Sequence, residues 1–346
     1  MNKFLIDVFR GKSNNADNKP KTDINRILKE KENFNLIYIK KFKKGKIDRN
    51  FLVKYRINKA LKGNVIQKDD VVLVHYPFYS GRKFEEYLVD VLDKIGAKKI
   101  ALIHDLDSLR FDKSLVFGDI NGEVGYLNKY DVVISHNPSM TKLLIDKGLR
   151  SKIVNIGLFD YLNDDKKTNS NGYLYKNRIT FAGNLNKSPF LGKLNVYDGI
   201  KFDVFGNIND PSSINKTLTY NGSVSPKVLS QKLGKGYGLV WDGESLEKPS
   251  GMIGNYLLYN NPYKASSYLS AGMPLIVWDK SAISKFVKEN NIGISVSNIK
   301  DLSKELSLVS ADEFNEMCKN AFEVSKSLKN GLYTISAVDS AIDKLG

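Results

Sequence analysis

The sequence predicts an α/β protein built as two Rossmann-like domains that face each other across a crevice. Three observations carry that expectation. Apolar, β-branched runs alternate with amphipathic stretches along the first half of the chain; a polar stretch without periodicity then interrupts the pattern; and the same alternation starts again beyond it. Parallel strands covered by helices on both faces read as such continuous apolar runs. A chain of 346 residues is also long for one domain and natural for two.

The elements follow in order. FLIDVF, FNLIYIK, DVVLVHYP, KKIALIHD, DVVISHN and KIVNIG are the strand-like runs of the first half. Between them, Thr22–Lys31, Arg82–Ile95 and Ser139–Gly148 have helical spacing, the second gathering Phe84, Tyr87, Leu88, Val91, Leu92 and Ile95 on one face. Asp23, in KPKTDINRIL, is expected to cap or open the first helix. Tyr161–Asn177 reads as a linker. Beyond it RITFAGN, KFDVFGN, LTYNG, GYGLVW, MPLIVWD and GISV read as strands, and Ser225–Leu233, Pro262–Ala271, Ile283–Asn290 and Ala311–Ser327 as helices. The first domain is expected over 1–162 and the second over 163–330, with a C-terminal helix at 331–346 that packs back on the first. Ligands of open α/β sheets sit beyond the carboxyl ends of the strands, so chemistry is expected there.

Composition narrows the class. Hydrophobic residues at 42% and aromatics at 11% suffice for real cores. The single cysteine, Cys318, cannot make an internal disulfide, and no Cys/His cluster has metal-ligand spacing. The N-terminal MNKFLIDVFRGK is too short in its apolar run for a signal peptide, and no 18-residue apolar segment occurs. A cytoplasmic protein, soluble or peripheral at the inner face of the membrane, is the expectation. The net charge of +15 points to anionic partners, with lysines crowding Lys40–Lys62 among Phe42, Ile47, Phe51, Leu52, Tyr55 and Ile57. Anionic lipid fits, since each basic residue near such a surface contributes about 1 kcal/mol. A solvated lysine-rich surface is the plain alternative. Nucleic acid is not expected, because no motif of a known reader is present.

In the second half, YNNPYKASSYLSAGMPLIVWD sets Pro262 at a first helical turn, followed by Tyr263, Lys264 and the small residues Ala265, Ser266 and Ser267. A helix N-terminus offers unpaired N–H groups and about half a positive charge, small side chains let an anion approach them, and Lys264 is expected to add an unpaired cation. A diphosphate would suit this arrangement; an ordinary helix packing small residues on a sheet is the alternative. RITFAGN ends in Ala182, Gly183 and Asn184, a tight glycine turn with Lys187 just beyond, and Tyr220 in LTYNGSVSP could stack on a base.

YNNPYKASSYLSAGMPLIVWD, ITFAGN and IHDLDSLRF resemble a bacterial glycosyltransferase group of the GT-B fold. It contains exopolysaccharide β-1,6-galactofuranosyltransferases and glucosyltransferases that extend glycans on adhesins. The resemblance runs over nearly the whole chain and is strongest in the PYK block. It implies UDP in the second domain, contacted by Lys264, Tyr220 and Lys187, the last an arginine in the adhesin enzymes. It further implies an N-terminal loop near the donor, with Ser13 and Asn18 as contacts, and a homo-oligomer. The stretch Gly251–Leu258 departs from the adhesin enzymes and leaves the donor-side loop open.

IHDLDSLRF directly follows a predicted strand. Asp105 is the candidate general base for an inverting transfer, with His104 and Arg110 tuning it or contacting the acceptor. Asp105 as a helix cap is the alternative, as is a divalent metal on Asp105 and Asp107, although alternating residues on a strand point to opposite faces. His75 and His136 read as structural. The expected protein is a metal-independent transferase that needs no cofactor and moves a hexose from UDP to a saccharide acceptor, which could be lipid-linked. Galactofuranose is the first donor expected and glucose the second. A non-catalytic partner subunit and a metal-dependent transferase are the alternatives.

Overall fold

The computed structural model describes residues 1–9, 18–40, 49–111, 116–163, 176–196 and 199–346. These residues form two compact units. One combines residues 1–9 and the described part of 21–157 with Tyr333–Gly346; the other spans the described part of 158–332 together with 18–20.

The first unit holds strands β1 (Lys3–Phe9), β2 (Asn35–Lys40), β3 (Val71–Tyr76), β4 (Lys98–Ile103), β5 (Val132–Ser135) and β6 (Lys152–Asn155). All pair in parallel, in the order β2-β1-β3-β4-β5-β6. Helices α1 (Lys19–Lys31), α2 (Arg49–Lys62), α3 (Arg82–Ile95), α4 (Asp107–Arg110), α5 (Ile120–Leu127) and α6 (Pro138–Asp146) connect them. The central β3, VVLVHY, is buried at every residue, whereas the edge strand β6 has none buried. The unbroken apolar runs of the sequence therefore mark interior strands. Asp23 departs from its expected role: α1 starts four residues earlier, Pro20 takes its first turn, and Asp23 is buried inside the helix.

The second unit repeats the plan with β7 (Arg178–Asn184), β8 (Lys201–Asn207), β9 (Thr219–Tyr220), β10 (Tyr237–Val240), β11 (Leu275–Trp278) and β12 (Gly293–Val296). Its parallel order is β12-β11-β10-β7-β8-β9. The helices are α7 (Phe190–Lys193), α8 (Pro226–Lys232), α9 (Gly251–Asn255), α10 (Tyr263–Ser270), α11 (Ser284–Glu289), α12 (Leu302–Leu308) and α13 (Ala311–Lys329). Helix α13 opens with a capping box in which Ser310 and Glu313 satisfy each other's backbone N–H. The last helix, α14 (Leu332–Asp343), buries Thr334, Ala337, Val338 and Ala341. It returns to the first unit, where Lys152 Nζ donates to the Lys344 carbonyl at 2.6 Å and the Tyr333 ring lies beside Gly157. Most of the expected linker, 164–175, lies outside the described residues.

In each sheet the chain runs outward from one strand and then returns to that strand's other side. The reversal falls between β1 and β3 in the first unit and between β7 and β10 in the second. Loops diverge at such a point, which opens a crevice at the carboxyl ends of the two strands.

Among the buried side chains of α10, Tyr268 ties the helix to both β7 and β10. Tyr268 is fully buried, its hydroxyl accepts from Ala182 N–H at 2.7 Å, and its ring packs against Gly238. The helix then stops in a Schellman motif: Gly272 takes φ +71°, its N–H reaches the Leu269 carbonyl, and Met273 N–H reaches that of Tyr268.

Candidate active site

At the reversal in the second unit, β7 ends at Gly183 and Asn184, β10 runs on into Trp241 and Asp242, and α10 begins at Tyr263. Lys264 Nζ sits where the three meet. It donates to Asp242 Oδ1 at 2.9 Å and to the Trp241 carbonyl at 3.1 Å. It also lies 4.7 Å from the centre of the Phe181 ring, and 3.9 Å from where a side chain at Gly183 would begin. Lysine and aspartate are 17% and 15% exposed, so the pair is largely but not wholly withdrawn from water.

Two sequence expectations are corrected here. Lys264 is not an unpaired cation, because topology brings Asp242, 22 positions earlier, into contact with it. Pro262 is the N-cap (φ −65°, ψ 134°) rather than the first helical residue, and its own side chain makes no cap bond. Within that turn the Ala265 N–H donates to the Pro262 carbonyl at 2.9 Å. Ser266 and Ser267 are 1% and 7% exposed and face inward, with Ser267 Oγ buried among groups that offer it no hydrogen bond. Their burial leaves Tyr263 and Lys264 as the side chains of the first turn with surface to offer. Tyr263 is half-buried and tilted over the Tyr161 ring at 5.2 Å.

The expected tight turn at Gly183 is absent as well. Gly183 continues β7 in register with Gly206, and it is Gly206 that needs to be glycine. Its φ is +150°, and a Cβ there would fall 1.9 Å from the Gly183 carbonyl oxygen. Beyond β7, Asn184 is exposed, and its side chain accepts from Asn186 N–H to cap a short 3₁₀ turn. That turn ends at Lys187, which is exposed and pairs with no carboxylate among the described residues. Tyr220 is half-buried at the end of β9, and its hydroxyl donates to the Gly206 carbonyl at 3.0 Å. That bond fixes the ring at the same strand ends.

In the first unit, His104 and Asp105 directly follow β4. Asp105 forms an ion pair with Arg110, at 28% and 23% side-chain exposure. It does not cap α4; the cap is the buried Glu123 carboxylate, which accepts from the Asp107 and Ser108 backbone N–H groups at 3.0 and 3.1 Å. Asp107 is buried, accepts from the Tyr79 hydroxyl at 3.1 Å, and has its carboxyl pushed above the usual range by burial. The two aspartates of the D-x-D therefore serve different partners. Among the described residues no group of three His, Cys, Asp or Glu side chains could hold a metal ion. His136 is buried and its pKa is lowered to about 4, mainly by burial, so it stays neutral. Asn18 is half-buried just ahead of α1, and Ser13 lies outside the described residues.

Sequence reasoning missed Asp242, Trp241 and Phe181. The signal was there in GYGLVWDG, where a strand runs into an acidic residue and a glycine as RITFAGN runs into its own turn.

The chain matches two family models, the glucosyltransferase 3-like N-terminal domain over residues 2–158 and the glucosyltransferase 3-like C-terminal domain over 179–341. It is 29% identical over 344 residues to the β-1,6-galactofuranosyltransferase WbbI of Escherichia coli K12, covering 99% of both chains. It is 28% identical over 282 residues to glucosyltransferase 3 of Streptococcus parasanguinis, covering 80% of this chain and 81% of the relative. Among solved structures, the Escherichia coli trehalose-6-phosphate protein bound with UDP-2-fluoro glucose superposes with a TM-score of 0.59 at 11% identity, over 98% of this chain and 99% of the other.

Proposed function

We propose, for a chain that belongs to the glucosyltransferase 3-like family and is therefore a glycosyltransferase, that it moves a hexose from UDP to a saccharide acceptor with inversion and without a metal ion. Its two Rossmann-like units are those of the GT-B fold. One observation carries the donor assignment: the Lys264 ammonium stands at the β7–β10 reversal, on the first turn of α10. The diphosphate would lie against the amides of that turn, and Lys264 and Lys187 would offset the charge that builds on the leaving group. Asp242 would hold the ammonium in place until the diphosphate arrives. Tyr220 would stack on uracil and Tyr263 would border the phosphates. A proton acceptor would come from the carboxyl end of β4, where His104 and Asp105 adjoin. The match to WbbI covers 99% of both chains, against 80% and 81% for glucosyltransferase 3 of Streptococcus parasanguinis, which supports UDP-galactofuranose as the first donor to test and UDP-glucose as the second.

A panel of UDP-sugars with EDTA present, read by UDP release, tests this reading. Turnover of one donor at an undiminished rate is the expected result. Loss of turnover on adding EDTA, restored by Mg²⁺ or Mn²⁺, would overturn metal independence. UDP binding without turnover of any sugar would point instead to a partner subunit.

The first unit is suited to an acceptor held at a membrane. No described helix is long and apolar enough to cross one, yet α2 exposes Phe51 and Tyr55 at 69% and 52% alongside Lys54, Lys59 and Lys62. Co-sedimentation with vesicles rich in phosphatidylglycerol is expected at low salt and should weaken at high salt. Equal binding to neutral vesicles would remove this part of the reading.

A further inference from the structure

The second unit holds a cavity of about 290 Å³, lined by one face of its sheet and by the segment that leads from α8 into β10. The parallel ladder puts Arg178 of β7 and Asp203 and Phe205 of β8 on that face, because paired residues point the same way and every second residue repeats it. Asn221, Lys232 and Lys235 line the cavity with them. Arg178 opens β7, whereas the candidate active site lies at the other end of that strand. Six residues of extended chain, about 20 Å, separate Arg178 from Asn184.

The fold sets the groups of this cavity. Asp203 is 8% exposed and accepts from Arg178 Nε at 2.7 Å and from Asn221 Nδ2 at 3.2 Å. The carboxylate thus grips the guanidinium by Nε, and among the described residues the two terminal nitrogens of Arg178 make no hydrogen bond. Close packing fixes the neighbouring loop: Gly236 has φ +74°, and a Cβ there would fall 2.0 Å from the Arg178 carbonyl oxygen. That contact brings Lys235 to the rim. Lys232 is exposed, lies 5.9 Å from the centre of the Phe205 ring, and pairs with no carboxylate among the described residues. Asn221 commits its NH₂ to Asp203 and to the Thr219 carbonyl, which leaves its amide oxygen as an acceptor.

We propose that this cavity is a binding site for a monosaccharide phosphate, separate from the place assigned to UDP. Two cations, Arg178 and Lys232, converge on a lining whose one carboxylate is already bonded to Arg178. The terminal N–H groups of the guanidinium form a fork that matches two phosphate oxygens, and the flexible ammonium reaches a third. The Asn221 oxygen and the Gln231 amide suit sugar hydroxyls, whereas a bare phosphate has no use for an acceptor. Small-molecule sites run from roughly 300 to 1,000 Å³, so this cavity stands at the small end and suits one sugar ring rather than a nucleotide sugar. The site stands or falls without the donor assignment.

Titration of the full chain with glucose 1-phosphate tests the site. One molecule should bind per chain, more tightly than inorganic phosphate, and glucose should not bind. Arg178→Lys keeps the charge but loses the fork, and should raise the Kd at least about tenfold. Lys232→Ala removes an exposed side chain, so it should keep the parent's melting temperature while raising the Kd about threefold. Saturating UDP should not displace glucose 1-phosphate, and Lys264→Ala should leave its Kd unchanged. Absence of binding would overturn the proposal, as would a Kd unaltered in both Arg178→Lys and Lys232→Ala, or binding lost in Lys264→Ala. Inorganic phosphate binding as tightly as glucose 1-phosphate would overturn the sugar assignment. Glucose 1-phosphate binding to a chain that ignores UDP would uphold this site and remove only the donor reading.

Discussion

Replacing Lys264 by alanine is expected to raise the Kd for UDP at least tenfold, which corresponds to about 1.4 kcal/mol or more. The ammonium stands between the first turn of α10 and the ends of β7 and β10, and its partner there is the Asp242 carboxylate. Removing the lysine takes away a cation and also leaves a negative charge facing the place assigned to the diphosphate. The two effects add, so the loss should exceed that of a lone surface cation. Lys264→Ala combined with Asp242→Asn separates them: without the carboxylate, the double variant should bind UDP more tightly than Lys264→Ala alone. Calorimetric titration of UDP reads both. An affinity unaltered by Lys264→Ala would remove the lysine from the donor site.

Gly238→Ala is expected to destabilise the second unit by about 1–3 kcal/mol, the range for forcing extra volume into a packed core. A methyl there would fall 2.2 Å from Cγ and Cδ2 of Tyr268, and that ring is fully buried with its hydroxyl committed to Ala182 N–H. The ring cannot step aside without breaking that bond and lifting α10. Because α10 carries Lys264, UDP affinity should fall together with the melting temperature, by about 2–4 °C for each kcal/mol in a unit of this size. Thermal unfolding with and without UDP measures the coupling. A variant as stable as the parent would show that the helix has room to shift.

The sequence revealed the sheets well and the site only in part, for reasons particular residues make plain. VVLVHY and LIVW are buried on both faces, so their composition alone marks them as interior strands. Lys264 was legible because a proline and small residues surround it locally. Its bond to Asp242 was not, since only the adjacency of β10 to β7 brings the two together. Gly183 misled because a glycine at a strand end looks like a turn, whereas the constraint belongs to its neighbour across the ladder, Gly206. Asp105 and Asp107 are two positions apart in sequence, yet one turns to Arg110 while the other is buried against Tyr79. In the same way nothing local in DINRIL or VLVHYP tells that Asn25 and His75 hydrogen-bond each other.

The return of α14 to the first unit bears on how the chain is made. Its buried residues Thr334, Ala337, Val338 and Ala341 leave the ribosome only after every residue of 158–332 has been synthesised. The portion made first therefore waits, with an apolar face uncovered, while the portion made second can complete itself. Co-translational folding runs here against the order of translation, and the earlier half closes last.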